Sequence, residues 1–489
     1  MTKMTSPSVE TATTCPKGLN LEQVHILMRH GERTPVAARF QNAGLSPYWP
    51  YCSTSQRFTQ IMTTQDGWES IAWKRRLEMI DPKDRFISTQ GAGSDTSRIC
   101  LLGELTDKGR ETTLAFGKQL RQLYVDQLGL LPKNLSDPGI VYARTTMVPR
   151  VLESVQQALY GLYPPGTYKA STPWEITMRT PADETLLPNT KSCARLAELA
   201  REFSRQAAAK WNESGDMRFL SEKLGKWIPA GKSLAVDSRP RLFGVMDTIN
   251  ASIAHGPDTR LPDEFYEERV RKTIDRIVVD AHFHGYNVSR EFRTLGSGEF
   301  MGGIVLRMLG QVRWNQRSSL SAPPKLSLLG SHDYAFGATL ASLGCFDSLE
   351  KWPPFTSNII FELFRKSQTT GESHTLGLAL RTPSTRPLSS NGQEPGEARG
   401  VSQRSTHMST TKDTDKLNEY FVRVKYNGRI LAIPGCRTEG NHLDGDESVC
   451  TLSAFKSIVD KFTPGNWHQA CQSNLGAPPT IESDEPAGY

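Results

Sequence analysis

Three short stretches of this chain carry side chains able to act on a phosphate ester. The first, Met28-Arg29-His30-Gly31-Glu32-Arg33-Thr34-Pro35, places a histidine between two arginines. Guanidinium groups present planar forks that match phosphate oxygens, and an imidazole can attack phosphorus to form a covalent intermediate. The second stretch is Arg144, just before Thr145-Thr146, and the third is His332-Asp333. Together, Arg29, Arg33, Arg144 and His332 would hold the phosphoryl oxygens while His30 attacks. Asp333 would protonate the departing alkoxide and then deprotonate the water that releases phosphate. This set requires neither a metal nor a cofactor, because the arginines supply the positive charge. Taken singly, each stretch also has a plain structural reading: charges on a turn, a salt-bridged arginine, or a loop histidine followed by a helix-capping aspartate.

Three strands must position these groups. The apolar run from Val24 to Met28 reads as a buried strand, and it stops at Gly31 and Pro35. Ile140 to Ala143 is a second strand ahead of Arg144, and Lys325 to Leu329 is a third ahead of Gly330-Ser331-His332-Asp333. Ligands of open α/β sheets bind at the carboxyl ends of strands, so neighbouring strands would bring all three stretches to one crevice. Helices are expected from Thr106 or Asp107, with Phe116, Leu120 and Tyr124 packing inward, from Pro149 through Val155 and Leu159, and from Ala335 to Leu343. The long connection 36–103, with Trp49, Tyr51, Trp68 and Trp73, reads equally as a pocket wall or as plain aromatic packing. Tyr420 to Tyr426 alternates like a strand, and Asn427-Gly428 marks a hairpin to Ile430–Ile433.

The organisation expected from these patterns has a flexible tail at 1–20 and the first part of an α/β core at 21–171. A smaller helical cap follows at 172–290, then the second part of the core at 291–366. Residues 367–416 are dominated by Ser, Thr, Pro and Gly and read as a disordered insertion. A hairpin and helix at 417–472 would complete the core, with a tail at 473–489.

Composition narrows the function classes. The 489 residues are enough for a large core and more than one domain, and 37% hydrophobic with 22% charged residues is ordinary for a globular chain. A net charge of +6, with no dense Lys/Arg run, gives no reason to expect a nucleic-acid partner. No apolar run approaches the ~18 residues of a membrane span. Met1 to Asn20 lacks the apolar segment of a secretory signal peptide, so an intracellular location, cytoplasmic or mitochondrial, is expected. The eight cysteines (15, 52, 100, 193, 345, 436, 450 and 471) show no Cys-x-x-Cys spacing and read as reduced core residues. Asn134, Asn212, Asn250 and Asn287 each open an Asn-x-Ser sequon, read as chance in a chain without export. His282-Phe283-His284 has the look of a metal pair but lacks a third ligand. His25 is read as structural, close enough to tune His30.

The ordered set of motifs resembles the histidine acid phosphatase family, the acid phosphatase branch of the histidine phosphatase superfamily. Arg29-His30-Gly31-x-Arg33-x-Pro35 resembles its nucleophile motif, and Gly103-Glu104-Leu105-Thr106-x-x-Gly109 its helix start. Arg144, ahead of Arg150-Val-Leu-Glu-Ser, resembles the third phosphate-binding arginine, and Ser331-His332-Asp333 the proton-donor motif. Trp352-Pro353-Pro354-Phe355, Phe361-Glu362-Leu363, Tyr426-Asn427-Gly428 and Cys436 continue the resemblance. It implies a phosphoglycerate mutase-like sandwich: a central mixed, mostly parallel sheet flanked by helices, plus the inserted α-helical domain. It also implies a metal-independent phosphomonoesterase with His30 as nucleophile, Asp333 as proton donor and no cofactor, acting on a small phosphomonoester. Within the family the chain looks most like the lysophosphatidic acid phosphatase type and its fungal relatives. Two departures stand out. Arg144-Thr145-Thr146-Met147 replaces the usual Arg-Ser-Thr-Asp, and Tyr334 replaces a common Thr and is expected to narrow the leaving-group side. The rival readings are a phosphomutase or bisphosphatase of the superfamily, whose donor is typically a Glu, and a catalytically silent phosphate-binding protein, which should have lost His30 or Asp333.

Overall fold

The computed structural model describes residues 14–367 and 416–489, apart from residues 66, 82, 90–95, 317–320, 350 and 482–485. Its centre is β1 (Leu19–Arg29), whose residues from Gln23 to Arg29 are buried. A near-continuous apolar run of this kind belongs to a strand covered on both faces. β1 pairs in parallel with β8 (Leu326–Ser331), β8 in parallel with β6 (Val141–Thr145), and β6 in parallel with β7 (Ile176–Thr177). On its other side β1 pairs antiparallel with β9 (Asn358–Lys366), which leads to β10 (Tyr420–Tyr426), β13 (Asp446–Thr451) and β12 (His442–Leu443); β11 (Arg429–Leu431) also pairs with β10. The sheet is therefore mixed, and its parallel half carries the three strand ends singled out above. Asn427 and Gly428 both adopt positive φ, 48° and 81°, as the hairpin turn between β10 and β11 requires.

The two faces of the sheet bury separate cores. Val24, Ile26 and Met28 pack on α1 (Asp107–Arg121) and α2 (Pro149–Leu162) through Phe116, Leu120 and Val155. Thr106 caps α1 by accepting from the Gly109 amide, and a π-helical turn, Gln122–Gln127, carries Tyr124 into the core. Leu27, on the opposite face, joins the larger cluster built with α3 (Ala194–Trp211), α4 (Gly215–Leu224), α5 (Leu242–His255), α6 (Glu268–Val288), α8 (Glu299–Gln316) and α9 (Asp333–Ser342); α7 (Arg290–Arg293) links α6 to α8. His25 is enclosed in this strand. It hydrogen-bonds Ser327 at 3.0 Å and Gln23 at 3.1 Å, and burial drives its pKa down to about 3.

Several expectations are corrected. Six cysteines are paired, as Cys52–Cys100, Cys193–Cys471 and Cys436–Cys450, and only Cys15 and Cys345 are not. Pairs 48, 278 and 14 residues apart leave no short-range signature, which is why scattered positions read as reduced. Within the stretch 172–290, read as mostly helical, the two-residue β7 extends the sheet. The end of the 473–489 tail is not loose: Ala487 is buried and the Gly488 carbonyl accepts from the Gly435 amide. The connection 36–103 contains two hairpins, β2 (Phe58–Thr64) with β3 (Gly67–Trp73), and β4 (Glu78–Ile80) with β5 (Phe86–Ser88). Trp49 is buried in it while Trp68 and Trp73 are exposed, so neither reading of these aromatics covers all of them. The expected disordered insertion lies almost wholly outside the described residues. Among the described residues no helix is long and apolar enough to cross a membrane.

Candidate active site

The parallel register sets the geometry. Arg29 lies opposite Ser331 and Thr145 opposite Gly330, so β1, β6 and β8 end level with one another. His30 follows directly, its amide donating to the Ser331 carbonyl at 3.2 Å. Asp333 opens α9 and accepts from the Tyr334 amide at 3.0 Å, and β9 runs antiparallel, so the preceding Pro353–Phe355 turn arrives at the same end of the sheet. The nucleophile loop is held by close backbone approach. A Cβ on Gly31 would meet the Gly109 carbonyl oxygen at 2.3 Å, and a Cβ on Gly109 would meet the Glu32 carbonyl oxygen at 2.2 Å. The Gly31 amide donates to Ser154 Oγ of α2 at 3.0 Å.

His30 is 1% exposed, and its Nδ1 lies 2.9 Å from the Gly31 carbonyl. A carbonyl only accepts, so Nδ1 carries the proton and Nε2 keeps its lone pair. Burial, reinforced by the charges of Arg29, Arg33 and Arg150, holds the His30 pKa well below the ordinary histidine range. The imidazole is therefore held in its neutral form. The His332 ring stands edge-on to it with centroids 5.6 Å apart, hydrogen-bonds Thr146 Oγ1 through Nε2 at 3.2 Å, and is pushed by burial and by Arg150 to a pKa of about 3.

Each arginine is anchored by one end. Arg29 donates to Asp333 at 2.6 Å and to the Pro353 carbonyl, and lies 4.4 Å over the Phe355 ring. Arg33 pairs at 2.8 Å with Asp247 of α5, whose other oxygen accepts from the Val36 amide at 3.1 Å. The Nε–H groups of Arg29, Arg33, Arg144 and Arg150 are buried and have no partner among the described residues. Buried donors without acceptors are rare, and here they offer what a phosphate dianion would satisfy. For Asp333, burial pushes the pKa up, but Arg29, Arg33 and Trp352 outweigh it and leave the carboxyl below its ordinary range.

The third arginine differs from expectation. Arg144 is pinned to Glu184 at 2.7 Å, and the charges that act on it most are those of Glu184 and Arg179. Arg150, one turn of chain later, is the arginine whose charge reaches His30 and His332. Burial and the neighbouring Arg33 lower its own pKa to about 10. Pro149 at the first position of α2 explains the shift. It starts the helix one residue before Arg150, and side chains in a first turn point back toward the helix start.

Asp247, Glu184, Thr146 and the Pro353 carbonyl are positioning groups that sequence reasoning missed. Glu184 and Asp247 come from distant segments, so no spacing marks them. Phe355 was noted only as part of a motif, yet its ring contacts Arg29, Arg33 and His30. The Tyr334 ring packs into a half-buried cluster with Phe243, His282 and Trp352. That cluster also accounts for His282, and among the described residues no group of three His, Cys, Asp or Glu is placed to hold a metal ion. A cleft of about 230 Å³ opens from Arg29 past Glu32, Ile253, Phe355, Arg271 and Lys351.

The chain is similar to known proteins. The family described as histidine phosphatase superfamily (branch 2) matches residues 20–378. A protein of Schizosaccharomyces pombe named as a probable acid phosphatase is 32% identical, over 96% of this chain and 99% of its own length. Human lysophosphatidic acid phosphatase type 6 is 29% identical over 93% of this chain and 86% of its own. Among solved structures, a Hafnia alvei phytase bound to tartrate superposes with a TM-score of 0.52 at 14% identity, covering 94% of this chain and all of that one, a likeness of fold.

Proposed function

The chain belongs to the histidine phosphatase superfamily (branch 2), the acid phosphatase branch, and on that premise we propose how its own residues hydrolyse a phosphate monoester. The observation that carries the reading is the neutral His30 ring with an unengaged Nε2, beside three arginines whose Nε–H donors lack acceptors. A phosphoryl group held by Arg29, Arg33, Arg150 and His332 is attacked by His30 Nε2, and the P–O bond to the alcohol breaks. Asp333, protonated, gives its proton to the departing oxygen. A phosphate taking donors from Arg29 withdraws charge from Asp333, which raises the carboxyl pKa toward that protonated state. The Asp333 carboxylate then takes a proton from water, whose oxygen attacks phosphorus, breaks the N–P bond and releases phosphate. Lysophosphatidic acid is the substrate supported by the human relative's name and by the cleft's apolar residues Ile253 and Phe355.

The expected reducing compartment fits poorly with three disulfides, which persist where thiols are kept oxidised. Counting thiols in protein taken from its own cells tests this.

The deciding experiment is phosphate release from p-nitrophenyl phosphate, lysophosphatidic acid, a sugar phosphate, inositol hexakisphosphate and 3-phosphoglycerate, with and without EDTA. Release that persists in chelator, with lysophosphatidic acid ranked first, is the expected result. Release abolished by EDTA overturns the arginine-based mechanism, and no release from any substrate favours the silent phosphate-binding reading.

A further inference from the structure

The proline-rich turn before β9 is short of hydrogen-bond donors. Pro353 and Pro354 have no amide proton, so the Trp352 N–H is the single backbone donor of Trp352-Pro353-Pro354. It donates to Oδ1 of Asp275, on α6, at 3.2 Å. The carbonyls of the same run are used as well. Pro353 accepts from Arg29, and Pro354 accepts from the Ser357 amide at 3.2 Å.

The two ends of the turn are held by different elements. Beyond the prolines, the Thr356 amide donates to the His30 carbonyl at 3.1 Å, and the Ser357 carbonyl accepts from the Arg29 amide at 2.8 Å. That end is laced to β1. The other end is held by α6, through Asp275 at the Trp352 backbone and through His282 and Phe283 at its ring. Phe283 stacks on the indole with centroids 4.9 Å apart, and His282 stands edge-on at 5.3 Å. Asp275 and His282 are two helical turns apart, so α6 grips Trp352 along about 10 Å of its length.

The turn carries three contacts to the reacting groups. The Pro353 carbonyl and the Phe355 ring hold the Arg29 guanidinium, which in turn holds Asp333 at 2.6 Å. The Trp352 side chain hydrogen-bonds the Asp333 carboxylate directly. An indole N–H is a neutral donor, so a bound phosphate that draws on Arg29 leaves it in place. Asp275 itself has no direct bond to Arg29 or Asp333 among the described residues. It is half-buried in the wall of the cleft beside Arg271 and Lys351, and burial raises its carboxyl above the ordinary range against those charges. An acid in this wall can accept from the turn or meet the substrate's alcohol, and the first is the contact it makes.

We propose that Asp275 is a positioning residue for the proton-donor step: by anchoring the Trp352 amide to α6, it sets where Asp333 stands against the leaving oxygen. The inference rests on the phosphohistidine reading with Asp333 as acid. Steady-state kinetics of Asp275→Ala, Asp275→Asn and Trp352→Phe on methyl phosphate and p-nitrophenyl phosphate test it, with folding checked by circular dichroism. Methoxide needs a proton to leave and nitrophenolate needs little, so Asp275→Ala should lose about tenfold or more in kcat on the first and less than about threefold on the second. Asp275→Asn keeps an oxygen that accepts from Trp352 and should stay within about threefold of wild type on both. Trp352→Phe keeps a ring but lacks the N–H, and should show the same selective loss as Asp275→Ala. Where Asp275→Ala does not fold, Asp275→Leu, close in size and without an acceptor, takes its place.

Equal losses on the two esters by the folded variant, or no loss on either, overturn the proposal. So does an Asp275→Asn as impaired as Asp275→Ala, since charge rather than the accepted bond would then matter. A larger loss on p-nitrophenyl phosphate, the bulkier ester, with a raised KM assigns Asp275 to the substrate's alcohol instead. Asp333→Asn run beside them separates the two readings. If it loses selectively on methyl phosphate and Asp275→Ala does not, this inference alone fails; if it loses equally on both esters, the reading of Asp333 as acid fails first.

Discussion

Two of the places where ionic groups are buried lie on opposite halves of the sheet, and they are finished differently. In the antiparallel half, Glu362 is 1% exposed and every oxygen is used: Lys425 donates to it at 2.7 Å, Arg423 at 2.8 Å and the Tyr124 hydroxyl at 3.0 Å. Arg423 also donates to the Thr14 carbonyl at 2.9 Å. At the end of the parallel half, the acids Asp333, Asp247 and Glu184 each hold one end of an arginine, and among the described residues four buried Nε–H donors, of Arg29, Arg33, Arg144 and Arg150, are left over. A network with its acceptors filled locks strands together. A network with surplus buried donors and surplus positive charge is prepared for an anion that arrives later. The same residue types are closed on one another in one half and left with open donors in the other.

Substitutions at the two sites should therefore separate activity from stability. His30→Ala is expected to lower turnover of any monoester by more than about 10⁴-fold while the unfolding midpoint barely moves. Glu362→Gln should do the reverse, costing about 3–5 kcal/mol in denaturant unfolding because two buried cations lose their counter-charge, with specific activity of the folded fraction retained. If Glu362→Gln silenced a still-folded enzyme, the division between halves would fail.

Within the site, Arg150→Ala should cost about 10²–10³ in kcat/KM, as expected for one preorganised charge contact. Arg144→Ala should leave the folded enzyme within roughly tenfold of wild type, its main effect being the instability of an unpaired Glu184. The opposite ranking in steady-state kinetics would restore Arg144 to the phosphate. Asp333→Asn should impair alkyl phosphates, whose alkoxide needs a proton, far more than p-nitrophenyl phosphate. Equal losses on both would remove Asp333 as the acid.

The smallest effect concerns acid stability. The pKa values of His25 and His332 are driven down to about 3 from 6.5, by burial first, so the folded state keeps them neutral where the unfolded chain protonates them. Their stabilising contribution is complete above pH 6.5 and is lost as pH falls from there toward about 3, at about 1.4 kcal/mol per unit for each histidine. His25→Gln should flatten the fall in melting temperature between about pH 6 and pH 4, and an unchanged slope would show that His25 titrates normally in the fold.

What could be read from the sequence was local. Arg29, His30 and Arg33 share one short motif at the end of an apolar run, and Asn427-Gly428 names its own turn, so both were legible without the fold. His332 and Asp333 were legible for the same reason. The third arginine was not, because a strand end and a helix start five residues later both offered one, and only the turn of α2 decides which faces the pocket. Asp247 reaches Arg33 across 214 residues, and Cys193 reaches Cys471 across 278, with nothing between them that a pattern could reveal.

The contact between Gly31 and Gly109 continues further into the molecule. A Cβ on Gly117 of α1 would meet the Ala158 carbonyl oxygen of α2 at 2.1 Å, and one on Gly161 would meet the Leu114 carbonyl oxygen at 2.4 Å. The nucleophile loop, α1 and the helix that carries Arg150 are thus keyed backbone against backbone, with no side chain between them to be trimmed or repacked. In a saturation library, these four positions should behave as a single inherited unit. Even alanine at any one of them would have to move a helix, so drift in this lineage is expected to reshape the cleft and the hairpins while leaving the distance from His30 to Arg150 untouched.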